Sequence, residues 1–330
     1  MRIHVQNPAG TSAFSFTRAQ WDAAVKRHPD MRDLEVTIDN SDDGWSAALP
    51  VADIVLTWVD IVGAKLRGCD LSHAAPRLKL LSCNSAGVDR LAPFDWLPRD
   101  IALLNNSGIH ADKAGEFGLM ALLMLHNNMP AHIRSQHAQR WAPMHATTLK
   151  GRTLVIVGLG AIGGGVARLA KMLGMTIVGV RNGSAPHEYC DEVVSVSDIH
   201  KTLVRAEDLV LACPLTKDTR NLLSRERIAL LPRGARVINI GRGQLWDQDA
   251  VCDALDSGHL QYAFTDVAWS EPVEEGHRLW ATPGLILTPH IAADDRDRYN
   301  DITLDILFEN IRAHAAGRPL PNQIDPVRGY

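Results

Sequence analysis

Six residues, Gly158-Leu159-Gly160-Ala161-Ile162-Gly163, constrain this chain more than any others, because of what lies on either side of them. Before them, Thr153-Leu154-Val155-Ile156-Val157 is a short continuous apolar run, the mark of a strand buried on both faces of a parallel sheet. After them, the pattern predicts a helix from Ile162 to Leu173, closed by Gly174, and a second strand from Met175 to Val180. A GxGxxG pattern alone is a weak signal, since many turns are rich in glycine. Between a strand and a helix it has a mechanical meaning. Gly158 permits the tight turn, Gly160 lets the backbone approach a pyrophosphate, and Gly163 lets helix and strand pack closely. The pyrophosphate then rests on the helix N-terminus, at Ala161 and Ile162. The chain is expected to bind a dinucleotide.

The same alternation continues downstream. Asp208 to Ala212 and Arg236 to Asn239 repeat the buried strand type, and Asp247 can cap a helix that stops at Gly258, before a strand from Tyr262 to Thr265. Strand–helix alternation of this kind predicts an α/β fold with a doubly wound parallel sheet. The N-terminal part shows a weaker version, with candidate strands Ile3 to Val5, Ile54 to Trp58, Leu78 to Ser82 and Ile101 to Leu104. A length of 330 residues fits two domains at roughly 150 residues each. A second α/β domain is therefore expected in the N-terminal part, completed by a C-terminal helix from Asp301 to Ala316. The expected division is a substrate domain of 1–107 and 290–330, with a nucleotide-binding domain of 108–289 inserted in it. Two crossings side by side would make a hinge over a cleft.

Composition narrows the partners. Hydrophobic residues at 46% and charged residues at 22% are ordinary for a globular chain, with ample material for a core. The net charge of −4, with both signs interleaved, offers no basic stripe for nucleic acid. The longest apolar run, Leu119 to Leu125, falls far short of the ~20 residues of a spanning helix, so no membrane association is expected. The N-terminus lacks the charged start and cleavage site of a secretory signal. Five cysteines with no CxxC pair fit free thiols in a reducing cytoplasm, with no metal role.

The end of the second strand bears on cofactor choice. NAD-type folds usually place Asp or Glu there for the ribose hydroxyls, whereas this chain reads Val180-Arg181-Asn182-Gly183-Ser184. Arg181 could pair with a 2′-phosphate or stack on adenine, and Asn182 and Ser184 could donate to the phosphate. NADP is favoured, with NAD held by other contacts as the alternative. Three polar residues stand out further on: Arg242 after a buried strand, Glu271 before Pro272, and His290 after Pro289. Reducing a keto acid needs a carboxylate anchor, a proton donor for the nascent alkoxide and a group that tunes the donor. Arg, His and Glu supply those functions. One histidine among 14 is ordinarily structural; its setting beside the other two is what singles out His290.

With these residues in this order, the chain resembles the D-isomer-specific 2-hydroxyacid dehydrogenase family, which includes glyoxylate/hydroxypyruvate reductases and phosphoglycerate dehydrogenases. The resemblance runs through Leu78 to Asp89, Gly108 to Glu116, the nucleotide loop, Pro214-Leu215-Thr216, the three catalytic segments and Gly317 to Asn322. It implies a Rossmann coenzyme domain inserted in a flavodoxin-like substrate domain. It implies that Arg242 orients the substrate and that Glu271 pairs with His290, the general acid/base. Ser85, Ala86 and Gly87 would bring backbone groups to the substrate carboxylate, and Asp266 would face the nicotinamide amide. Cys213, Pro214, Thr219, Ile240, Arg242 and His290 would join the cofactor site. Trp141 reads equally as an interface aromatic or a substrate-pocket wall. The apolar face from Phe117 to Met124 reads as core and dimer contact, so a homodimer is expected. Arg181, Ala268 and Trp269 depart from the commoner family residues. The leading reading is an NAD(P)-dependent reductase of a 2-oxo acid; the alternatives are a dinucleotide-sensing, corepressor-like protein and a formate dehydrogenase relative.

Overall fold

Two runs of strand–helix alternation build two separate sheets, and every strand pairing within them is parallel. The structure is a computed structural model that describes residues 1–10, 14–109, 111–326 and 328–329. The chain divides into one unit of Met1–Ile109 with Asp295–Tyr330 and a second of His110–Asp294.

In the first unit, β1 (Arg2–Gln6), β2 (Glu35–Asp39), β3 (Ile54–Thr57), β4 (Leu80–Cys83) and β5 (Ala102–Leu104) lie in the order β2-β1-β3-β4-β5, the flavodoxin-like arrangement. Successive side chains of a strand point to opposite faces, and here each face has its own core. Val55, Leu81 and Leu103 pack in one cluster, while Ile54, Leu56, Leu80 and Leu104 pack in the other. The helix Tyr299–Ala315 covers the second face with Leu304, Leu307, Phe308 and Ile311, so the end of the chain completes the unit in which it began.

The second unit holds β6 (Thr153–Val157), β7 (Thr176–Arg181), β8 (Glu192–Ser195), β9 (Asp208–Leu211), β10 (Ala235–Asn239), β11 (Leu260–Thr265) and β12 (Leu285–Leu287). Their order is β12-β11-β10-β9-β6-β7-β8, a Rossmann arrangement extended by one strand. The alternation is again two-sided: Val155, Val157, Leu209 and Val237 face one cluster, Leu154, Ile156, Val210 and Ile238 the other. Strand order reverses at β6, which lies between β7 and β9, and ligands of such sheets bind at the carboxyl ends beside that switch.

The helix Ala161–Met172 follows β6 and packs on the helix Ala111–His126. Backbones approach closely there: a Cβ on Gly165 would stand 2.1 Å from the carbonyl oxygen of Ala111. Residues 290–294 stay with the second unit, beyond the expected return at 290, because backbone N–H groups of Ile291 and Ala292 are bound by the carboxylate of Asp266. The edge strands β2, β8 and β12 were not foreseen; β2 and β8 carry polar, partly exposed positions and lack a continuous apolar run, and β12 is apolar but only three residues long. Of the cysteines, Cys83, Cys213 and Cys252 are buried and Cys69 is exposed; all five are free. No helix among the described residues is long and apolar enough to cross a membrane.

Candidate active site

Residues singled out in the second unit collect at the carboxyl ends of its strands. The turn after β6 is built by glycine. Gly158 has φ +94°, where other residues are strained, and a Cβ on it would sit 2.6 Å from the backbone of Cys213. A Cβ on Gly163 would lie 1.9 Å from the Gly158 carbonyl oxygen, so helix and turn could not close. Gly160, by contrast, has nothing within 4 Å of its would-be Cβ. The first turn of the following twelve-residue helix carries no acidic side chain. An open backbone at an uncompensated helix N-terminus fits the pyrophosphate of a dinucleotide, with Ala161 and Ile162 in the first turn.

Around this turn, Arg181 ends β7 and is exposed, as are Asn182 and Ser184. Cys213 follows β9 and is buried against the glycine turn. Pro214 is exposed, and the Thr219 hydroxyl donates to its carbonyl at 2.7 Å, which folds the 214–219 loop on itself. Ile240 is 4% exposed and its side chain packs in the core beside Gly118, so only its backbone is placed to meet a ligand.

Arg242 follows β10 on a turn braced by the fully buried Asn239, whose Nδ2 donates to the Arg242 carbonyl at 2.9 Å. The Asn239 Oδ1 accepts from Gly241 N–H at 3.2 Å. Beyond β11, the Glu271 Oε1 accepts from the Ala268 N–H at 3.0 Å, and its Oε2 meets His290 Nδ1 at 2.8 Å. Partial burial pushes Glu271 upward, but the hydrogen bonds from His290 and Ala268, with the charges of His290 and Arg242, outweigh it. The carboxyl is left below its ordinary value. His290 stands three residues past β12 with φ 55°, a left-handed conformation rare for a side chain of this size. Its ring is 44% exposed, and with Nδ1 on Glu271 the Nε2 atom is the one presented outward. Arg242, Glu271 and His290, singled out by residue type and order, thus follow β10, β11 and β12 in turn, and no sequence signal pointed to the braces Asn239 and Thr288.

Asp266 lies directly after β11. It is 1% exposed, and both of its carboxylate oxygens are bound by the loop that carries His290. Trp141 is 98% exposed in the irregular stretch after the helix Met129–His137, and it does not join the others. Trp269 is pinned at the rim by its indole N–H, which donates to the Trp246 carbonyl at 2.8 Å.

Ser85, Ala86 and Gly87 lie in the first unit, directly after β4. Carbonyls of this loop are held from inside. Asn106 Nδ2 and the Tyr299 hydroxyl reach Asn84 O, Asn106 N–H reaches Ser85 O, and Asn105 Nδ2 reaches Ala86 O. Among the described residues no acceptor takes the N–H groups of 85, 86 or 87. Asn105 and Asn106, the residues that turn it this way, carried no sequence signal.

Comparison with known proteins adds a family. Residues 119–292 match the model of the D-isomer specific 2-hydroxyacid dehydrogenase NAD-binding domain. A glyoxylate reductase of Aeropyrum pernix is 28% identical over 78% of this chain and 79% of its own. A D-isomer specific 2-hydroxyacid dehydrogenase from Xanthobacter autotrophicus Py2, solved with NADPH and MES, superposes with a TM-score of 0.84 at 30% identity, covering 100% of this chain and 99% of that one. An NADPH-dependent glyoxylate/hydroxypyruvate reductase from Sinorhizobium meliloti, solved with NADP and sulfate, gives 0.81 at 25% identity, covering 100% and 99%.

Proposed function

The chain belongs to the D-isomer-specific 2-hydroxyacid dehydrogenase family, and from that membership we propose that it reduces a 2-oxo acid to the D-2-hydroxy acid with NADPH, His290 giving the proton. The observation that carries this reading is the 2.8 Å hydrogen bond between His290 Nδ1 and a Glu271 carboxyl that is itself held ionised. The intact set of Arg242, Glu271 and His290 argues against a protein that only senses dinucleotide.

The nucleotide would be held by the Gly158–Gly163 turn and the helix N-terminus, with Arg181, Asn182 and Ser184 at the adenosine end. When bound, the reduced nicotinamide supplies a hydride to C2 of the substrate. The protein's own work is to orient the acid and deliver the proton. Arg242 anchors substrate, since a guanidinium offers parallel donors and keeps its charge, which also bars it from giving a proton. The N–H groups of Ser85, Ala86 and Gly87, which no described acceptor takes, support the reading of that loop as a carboxylate-binding element. Glu271 fixes the ring through Nδ1, so that Nε2 carries the proton toward the forming alkoxide. The exposed Arg181, with no carboxylate at the end of β7, supports NADPH over NADH, as do the NADPH and NADP in the two solved relatives.

The test is a screen of NADPH and NADH oxidation against glyoxylate, hydroxypyruvate, pyruvate and bulkier 2-oxo acids, followed by His290→Gln on the best substrate. The variant should lose roughly two to four orders of magnitude in kcat and keep its NADPH affinity. Arg242→Ala should raise KM as well as lower kcat. Near-normal turnover by His290→Gln would refute the mechanism.

A further inference from the structure

We propose that Asn106 and Tyr299 are positioning residues for the substrate carboxylate: together they hold the Asn84 carbonyl inside the first unit and so turn the Ser85 N–H toward the bound acid. The inference rests on the reading of residues 85–87 as the carboxylate-binding loop. The chain is buried at Asn84 and Val88 and comes to the surface between them, where Ser85, Ala86 and Gly87 are half-buried. Asn84 is fixed through its backbone. Its N–H donates to Thr57 O at 2.9 Å, and its carbonyl accepts from Asn106 Nδ2 at 3.0 Å and from the Tyr299 hydroxyl at 2.5 Å. The segment after β5 holds the next two carbonyls as well. The Asn106 N–H donates to Ser85 O at 3.0 Å, and Asn105 Nδ2 donates to Ala86 O at 2.9 Å.

In a trans peptide the C=O and the N–H of the following residue point in opposite directions. The bonds from 84 to 87 are trans. Each N–H of Ser85, Ala86 and Gly87 therefore leaves the loop on the side away from the group that holds its carbonyl. Successive backbone N–H groups of this kind form an anion site, and among the described residues no acceptor takes any of the three. Of the three carbonyls, that of Asn84 has two donors, and the fold places both. Asn106 is 1% exposed, and its Nδ2 also donates to Thr303 Oγ1 at 2.8 Å, while the Thr303 hydroxyl donates to the Tyr299 carbonyl at 2.8 Å. The Tyr299 ring packs on Phe14 with 4.9 Å between centroids, so removing the hydroxyl leaves the ring a contact of its own. With both donors gone the Asn84 carbonyl is buried without a partner. Rotation of the 84–85 peptide toward water relieves this and carries the Ser85 N–H away from the acid. Because Asn106 and Tyr299 act through this peptide, their loss should weaken substrate binding and spare turnover.

The test uses the full chain and the variants Tyr299→Phe, Asn106→Leu and their combination. Calorimetry measures the binding of oxalate, an unreactive dicarboxylate, to the NADPH-loaded chain, and steady-state kinetics give KM and kcat for the best 2-oxo acid. The double variant should weaken oxalate binding and raise KM by roughly 10- to 100-fold, the factor carried by a hydrogen bond to a charged group. Each single variant should do so less, and kcat and NADPH affinity should stay near their wild-type values. A general loosening of the unit would instead lower kcat without raising KM, or weaken NADPH in parallel, and either result overturns the proposal. Should the double variant fail to fold, Tyr299→Phe decides, and unchanged oxalate affinity and KM overturn the proposal. If all three variants bind oxalate as the wild type does while Arg242→Ala binds it poorly, Arg242 keeps its role as anchor and the positioning pair falls. If no 2-oxo acid is turned over but the variants lose oxalate as expected, the positioning stands and the reductase reading falls.

Discussion

In the proposed mechanism His290 and Glu271 handle the proton and Arg181 selects the cofactor, and each leaves a measurable trace. His290 holds φ 55° at a cost of order 1–3 kcal/mol, a strain the surrounding hydrogen bonds must outweigh. Glu271 is driven up by burial and pulled down further by His290, Ala268 N–H and Arg242. Its carboxyl therefore titrates below the ordinary 4.5, and the pair with His290 stays formed as pH falls until that lower value is crossed. In His290→Ala the donor and the positive charge are both gone while the burial remains, so the Glu271 titration should move upward; carboxyl 13C NMR reads it directly. No upward movement would mean that the 2.8 Å contact does not persist in solution. Arg181 is proposed to act at the other end of the cofactor. A charge-assisted bond to a 2′-phosphate is worth about 1.5–3 kcal/mol, so Arg181→Asp should cut the kcat/KM preference for NADPH over NADH by roughly 10- to 100-fold. A wild-type enzyme that strongly prefers NADH would sink this assignment.

Among the elements, the proposed catalytic residues sit at one end of the second sheet and a structural ion pair at the other. Asp208 is the first residue of β9 and is fully buried; His126 Nε2 lies 2.8 Å from its Oδ2, and Arg236 Nη1 lies 3.6 Å from its Oδ1. Removing one member of a buried charged cluster leaves the others uncompensated. Asp208→Ala should therefore cost about 3–5 kcal/mol, seen as a lower urea midpoint, while the folded fraction binds NADPH normally. The central strands were legible because burial on both faces writes itself as an unbroken apolar run: Thr153–Val157 was read in full and Asp208–Leu211 to within one residue. So was the helix Gln248–Asp256, since Asp247 accepts from Ala250 N–H at 2.9 Å as its cap. Edge strands such as Glu35–Asp39 were not, because a half-exposed edge needs no apolar run. The site follows the same rule. Arg242, Glu271 and His290 could be found from residue type and order, but Asp266 and its partners Thr288, Ile291 and Ala292 lie 22 to 26 positions apart, and only the fold joins β11 to the end of β12.

For the whole molecule, the open question is what covers the helix Ala111–His126. One of its faces is spent inside the second unit, where Phe117, Ala121, Leu122 and Leu125 are buried. A second face leaves Met120 at 39% and Leu123 at 40% exposed, with Met129 at 36% beside them. These three line a groove with Leu119 and Met124, rimmed by Glu116 and Asn127. A surface helix ordinarily needs only one apolar stripe, and a contiguous second one marks an association surface. The occupant we expect is another copy of the same chain, since a two-fold axis through a helix face makes that face its own partner and gives the commonest closed symmetry. A stable pairing would bury about 1,600 Å² in all, with the apolar groove at its centre and polar residues at its rim. Light scattering should give twice the 36.2 kDa of the chain at micromolar concentration. Met120→Glu with Leu123→Glu places four carboxylates at the centre of the paired faces, and it should yield the single-chain mass. Both side chains point away from the buried face that packs on the nucleotide helix, so NADPH affinity should survive the change. Wild-type protein that scatters as one chain would remove the dimer, and a double variant that stays paired would move the interface to another surface.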